Sequence, residues 1–226
     1  MPIKIIAKNP KIMDHINSHA AVVFADIQGY TEIMAEDEKA GIAALDHFME
    51  NMSRYVVEHN GRLMHFWGDG CLALFDDASD ALACCIQLQL KFQRDPMLPV
   101  RIGINCGDII ETECNAYGNA VNISSRVESI SLPGSVLLTE CVKRELSENH
   151  ADKLLPLGKV DFKNMEGPIE VYAVEYKDLI VPDRAQFASE HGGQIPRRNF
   201  MQKRLWLWKS VVAALGLVVD VDQIIC

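Results

Sequence analysis

Two short apolar runs, each leading into an aspartate, constrain this chain more than any other feature. Ala21-Val22-Val23-Phe24-Ala25 runs into Asp26. Leu63-Met64-His65-Phe66-Trp67 turns through Gly68-Asp69-Gly70 into Cys71-Leu72-Ala73-Leu74-Phe75. Apolar runs of this length, bounded by turn residues, read as buried strands. If the two strands pair, their carboxylates meet at one edge of a sheet, because neighbouring strands lie ~4.8 Å apart. Paired carboxylates beside a small, Gly-containing loop suit two hard divalent cations, Mg2+ or Mn2+, holding a triphosphate. The pattern points to an enzyme of phosphoryl chemistry.

The chain is long enough, at 226 residues, to bury a full core in one sizeable domain with an appendage. A net charge of −9 argues against broad nucleic-acid binding, which rests on Lys and Arg neutralising phosphates. The cysteines number seven, lack zinc-like CxxC pairs and sit partly in apolar runs, as reduced core residues of a cytoplasmic protein do. Met1-Pro2-Ile3-Lys4 does not open a signal peptide. His15, His19, His47, His59 and His191 show no ligand spacing.

After a lead over 1–18, the strand at 20–25 gives way to the Gln28-Gly29-Tyr30 turn. Ile42, Leu45, Phe48, Met49, Met52, Tyr55 and Val56 recur at helical spacing and predict a helix over 38–59, stopped by Asn60-Gly61. A hairpin of 62–67 and 71–75 follows, then a helix from Asp77 to Arg94. Val100–Ile104 and Ile109–Thr112 predict a second hairpin, 119–129 a helix, 135–139 a strand, 140–148 a short helix and 157–175 two more strands. The order predicts an α+β fold with a ferredoxin-like βαββαβ core, an antiparallel sheet with its helices on one face, and a C-terminal extension. Residues 179–204 read as a linker, rich in Pro, Gly and charge. The apolar segment over 205–226 is too short and interrupted for a confident span; residues 205–219 suit a packing helix or a membrane contact.

Five stretches in unbroken order resemble the catalytic domain of class III nucleotidyl cyclases, from about residue 19 to 176. Phe24-Ala25-Asp26-Ile27-Gln28-Gly29-Tyr30-Thr31 resembles the first metal motif and Gly68-Asp69-Gly70 the second. Val100-Arg101-Ile102-Gly103-Ile104-Asn105-Cys106-Gly107-Asp108 is similar to the intervening hairpin. Asn122 and Arg126 match the transition-state helix, and Lys163 matches the lysine near the end of the domain.

The resemblance implies roles. Asp26 and Asp69 would bind the two cations with the Ile27 carbonyl, and the Gln28, Gly29, Tyr30 and Thr31 turn would offer N–H groups to phosphate oxygens. Asn122 would orient the ribose, Arg126 would meet charge developing on the α-phosphate, and Lys163 would hold the β/γ end. It also implies a head-to-tail homodimer, with the Asp pair and the Asn/Arg helix of each site coming from opposite subunits.

The base-selecting positions depart from the purine pattern. His65 stands where adenylate cyclases have Lys and guanylate cyclases Glu, and Asn115 where an Asp or Cys is usual. On an alternating strand Trp67 shares the His65 face, while Phe66 points the other way. A ring on that face narrows the slot, and His with Asn can read a carbonyl and a ring nitrogen. The combination resembles bacterial pyrimidine cyclases of anti-phage signalling, which make cUMP or cCMP. An adenylate cyclase, or an inactive cyclase-like nucleotide-sensing module, is the alternative. Taken singly, Asp69-Gly70 also reads as a plain hairpin turn and Asp26 as a cap.

Overall fold

The computed structural model describes residues 16–94, 96–146, 153–163, 165 and 167–191. Its strands are β1 (Ile16–Ile27), β2 (Arg62–Trp67), β3 (Gly70–Phe75), β4 (Val100–Glu111), β5 (Ala116–Tyr117), β6 (Val136–Thr139), β7 (Leu154–Val160) and β8 (Ile169–Val174). The helices are α1 (Tyr30–Glu36), α2 (Glu38–Glu58), α3 (Ala78–Phe92), α4 (Asn119–Ser129), α5 (Glu140–Glu145) and α6 (Arg184–His191). The sheet runs β2-β3-β1-β4-β6-β8-β7, with β5 paired to β4. Its first four strands have the ferredoxin-like order, and all their pairings are antiparallel; β6 joins β4 in parallel.

Local chemistry explains the long helices. Asp37 caps α2 by accepting from the Lys39 and Ala40 amides at 2.9 and 3.1 Å. Asp77 caps α3 by accepting from Ser79 N at 2.6 Å. Phe48, Met52 and Val56 of α2 and Leu88 and Phe92 of α3 are fully buried against Val23, Ala25, Phe75 and Ile102. This larger core lies on one face of the sheet.

Three expectations need correction. The first is the hairpin at 100–112, which is a single twelve-residue strand, β4, paired along its length with β1 from Ile16↔Glu111 to Ile27↔Val100. Gly107 falls in the predicted turn and Gly103 in its first predicted strand, and both serve close approach. A β-carbon on Gly107 would meet that of Ala120 at 3.0 Å. Second, α4 lies on the opposite face from α2 and α3, seated on β4 and β1. Ser124 Oγ donates to the carbonyls of Val22 (2.7 Å) and Gly103 (3.1 Å). Third, part of the linker is ordered: Asp183 Oδ1 accepts from Gln186 N at 2.8 Å, starting α6, whose Phe187 is buried with Leu157 and Val160. β1 also begins inside the stretch read as a lead. The remainder of 1–18, the linker beyond 191 and the segment 205–226 lie outside the described residues. Among the described residues no helix is long and apolar enough to cross a membrane.

Candidate active site

Strand pairing brings Asp26 and Asp69 together. Asp26 stands opposite Gly70 in the β1–β3 register, and the amide of Ile27 donates to the Asp69 carbonyl at 3.1 Å. A β-carbon on Gly70 would stand 3.4 Å from Asp26 Oδ1, an ordinary contact, so the hairpin tip lies directly beside the carboxylate. Burial pushes the Asp26 carboxyl up, the Arg101 guanidinium holds it down, and the Asp69 charge adds to the rise. Oxygen donors of this kind suit a hard cation. Among the described residues no three His, Cys, Asp or Glu side chains form a complete metal cage. An ion here would need ligands beyond these side chains.

Behind Asp26 lies a pair of residues that the sequence reading did not single out. Arg101, directly opposite Asp26 on β4, makes a short ion pair with the Asp26 carboxylate through Nη2. Its Nε lies 2.9 Å from Glu128 Oε1 on α4. The Glu128 side chain is 11% exposed, and its carboxyl is pushed up to about 7 by burial, against the pull of Arg101. Arg101 was visible as a lone cation in an apolar strand, but its partner on a distant helix was not.

The turn after β1 places Gly29 in the left-handed region, φ 78°, at the start of α1. The Gln28 amide is committed to Pro99 O at 2.8 Å, so it is not free for a phosphate. Those of Gly29, Tyr30 and Thr31 precede the first bond of the helix, Glu32 N to Gly29 O.

Asn122 and Arg126 form a second group. Ala120, Ser124 and Glu128 face the sheet, and Arg126 is about 200° around the helix from Glu128, counting 100° per residue. The pair therefore projects from the outer side of α4. Arg126 donates through Nη1 to the carbonyl of Lys163, which joins these two predicted residues. Asp26 lies on the sheet face beneath the helix, and the Asn/Arg pair lies on the helix's outer side.

His65 and Trp67 share the sheet face on which α4 sits. Their rings are 4.7 Å apart, and Trp67, 42% exposed, stacks on Phe24 at 6.0 Å and 7°. Phe66 points to the opposite face, edge-on to Phe48, as the alternation predicted. Asn115 sits in the β4–β5 connection, where its Oδ1 accepts from Ala116 N at 2.8 Å. Arg62 of β2 binds Glu111 at 3.0 and 3.1 Å, and Ala116 packs with Leu72, Leu74 and Met64. The connection bearing Asn115 is thus folded over the face that carries His65.

The sequence matches the family described as adenylate and guanylate cyclase catalytic domain over residues 13–176. An adenylate cyclase of Streptomyces coelicolor is 30% identical over 133 residues, 58% of this chain and 35% of that protein. One from Anabaena cylindrica is 29% identical over 181 residues, 68% of this chain and 36% of its own length. The chain spans about a third of the length of these curated relatives. Among solved structures, the adenylate/guanylate cyclase/hydrolase from Silicibacter pomeroyi superposes with a TM-score of 0.66 at 29% identity, covering 75% of this chain and all of that one. The adenylyl cyclase CyaB from P. aeruginosa shares the fold, with a TM-score of 0.64 at 24% identity over 74% of this chain and 100% of its own. Both carboxylate strands, β4 and α4 fall inside the one matched stretch, and on that continuous match the chain belongs to the adenylate and guanylate cyclase catalytic domain family.

Proposed function

We propose that this chain is the catalytic domain of a nucleotidyl cyclase, converting a nucleoside triphosphate to its 3′,5′-cyclic monophosphate and pyrophosphate. The observation that carries the reading is the pairing of Asp26 and Asp69 at one end of the sheet, where β1 and β3 meet. Bound there, two Mg2+ or Mn2+ ions would neutralise triphosphate charge and ease loss of the ribose 3′ proton. Asp26, Asp69 and the Ile27 carbonyl would be their protein ligands. The amides of Gly29, Tyr30 and Thr31, ahead of α1, would bind phosphate oxygens. Asn122 holds the ribose, Arg126 meets the charge on the α-phosphate as the 3′ oxygen attacks, and Lys163 binds the departing pyrophosphate.

The outward placement of Asn122 and Arg126 supports a composite site. Those side chains cannot turn through α4 to reach Asp26 below it, so a second copy would supply them. A head-to-tail homodimer then has two sites, and a monomer is inert.

For the base, the reading is a pyrimidine, UTP or CTP, giving cUMP or cCMP as a second messenger in anti-phage defence. Its support is the exposed His65–Trp67 pair beside the Asn115 connection, a stacking surface with two groups that donate and accept. Adenylate cyclase activity is the second reading, favoured by the names of the relatives. The test is incubation of the purified chain with Mn2+ and each of the four NTPs, with products resolved by mass spectrometry. A cyclic pyrimidine nucleotide that disappears in Asp69→Ala supports the full reading, and cAMP retains the cyclase while removing the base assignment. No cyclic product from a dimer would overturn the activity and leave a nucleotide-sensing module.

A further inference from the structure

Arg101 occupies an unusual position for a strand residue. It faces Asp26 across the β1–β4 ladder, and its side chain is 18% exposed between those of Asp26 at 22% and Glu128 at 11%. Three carboxylates, Asp26, Asp69 and Glu128, act on one another there. Arg101 is the cation paired with two of them. A guanidinium cannot lose its charge by deprotonation. It also uses an oxygen of Asp26 that a metal ion would need.

We propose that Arg101 is a built-in stand-in for the cation at Asp26, and that Glu128 retains it inside the site when a metal ion takes its place. The inference rests on the reading of Asp26 as a metal ligand. A divalent ion at Asp26 repels the guanidinium at close range in a half-buried setting. Nη2 then leaves Asp26, while Nε stays with Glu128. The exchange is a rotation of one side chain about a retained ion pair, and it needs no backbone movement. Arg101 and Glu128 are positioning residues in this scheme. In the metal-free site the guanidinium offsets part of the carboxylate charge, and the ion must compete for Asp26.

A purely structural tie between β4, β1 and α4 makes the opposite forecast, because cutting it would loosen the site and weaken metal binding. The experiment is titration of the full chain with Mn2+ alone, free ion being followed by electron paramagnetic resonance, with thermal melting as the check on folding. Asp26→Asn should weaken Mn2+ binding by about tenfold or more; unchanged binding would overturn the metal-site reading itself. Arg101→Gln should bind Mn2+ about fivefold or more tighter, and Glu128→Gln should bind about fivefold weaker because Arg101 can no longer step aside. In an Arg101→Gln background, Glu128→Gln should change little. If Asp26→Asn loses Mn2+ but Arg101→Gln binds no tighter, the stand-in role is wrong. Equal losses from Glu128→Gln in both backgrounds would show Glu128 acting as a plain charge, and would overturn its retaining role. Should Arg101→Gln fail to fold, Arg101→Lys carries the test. Lysine keeps the charge but loses the planar fork that serves Asp26 and Glu128 together, so tighter Mn2+ binding is expected, and wild-type affinity would count against the proposal.

Discussion

Glu128 sits directly on Gly103: a β-carbon at position 103 would lie 2.2 Å from the Glu128 amide nitrogen. The contact is with backbone, so no side chain can swing away to relieve it. It sets the height of α4 over β4 and so brings the Glu128 carboxyl to Arg101. Gly103→Ala should cost about 3 kcal/mol by overpacking, a fall of roughly 6–12 °C in melting temperature for a domain of this size. An unchanged melting curve would mean that helix and strand are farther apart.

Much of this architecture was legible along the chain, for local reasons. Helix α2 spans Glu38–Glu58 where periodicity predicted 38–59, because Phe48, Met52 and Val56 mark one buried face. The Gly68-Asp69-Gly70 turn joined its two strands as read. What was missed depends on non-local packing. Gly107 resembles a turn residue, and Gly103 a plain strand residue, until α4 is seen lying on them. Arg101 and Glu128 are 27 positions apart by their numbers, and neither carries a local sign of the other. Phe187, among polar neighbours, gave no amphipathic stripe to distinguish α6 from a linker.

Glu128 gives a pH dependence of defined sign. An ordinary Glu carboxyl titrates near 4.5, and burial raises this one to about 7. Between those values the folded state binds more protons than the unfolded state, so its stability falls as pH rises. The penalty is absent below the unfolded value and complete above the folded one, about 3 kcal/mol at most. Urea denaturation of metal-free protein from pH 4.5 to 8 should show the wild type losing stability relative to Glu128→Gln, levelling off above neutrality. Parallel curves would mean that Glu128 is ionised throughout.

Composite sites predict rescue on mixing. Asp69→Ala and Arg126→Ala should each be inactive while keeping the wild-type melting temperature, since both positions lie outside the buried core. Random exchange of subunits makes half of the dimers mixed, and each mixed dimer has one intact site. Equal mixing should therefore restore roughly a quarter of wild-type activity. Pyrophosphate release before and after mixing measures it. No recovery, with exchange demonstrated by subunit labelling, would place all the catalytic residues within one chain.

His65 and Asn115 carry the base assignment, and their exchange tests it. The His65 side chain is exposed, so His65→Lys adds a longer cation without disturbing the core. Asn115→Asp keeps the Oδ1 acceptor that meets the Ala116 amide and removes the side-chain N–H donors. The double variant should shift the ratio of pyrimidine to adenine turnover by about tenfold or more, since one mispaired donor or acceptor in a closed site costs about 1–3 kcal/mol. The shift should appear in kcat/KM measured in competition between UTP or CTP and ATP. Trp67→Ala should weaken every base by removing the stacking surface, with little change in that ratio. If the double variant leaves the ratio unchanged, His65 and Asn115 do not choose the base.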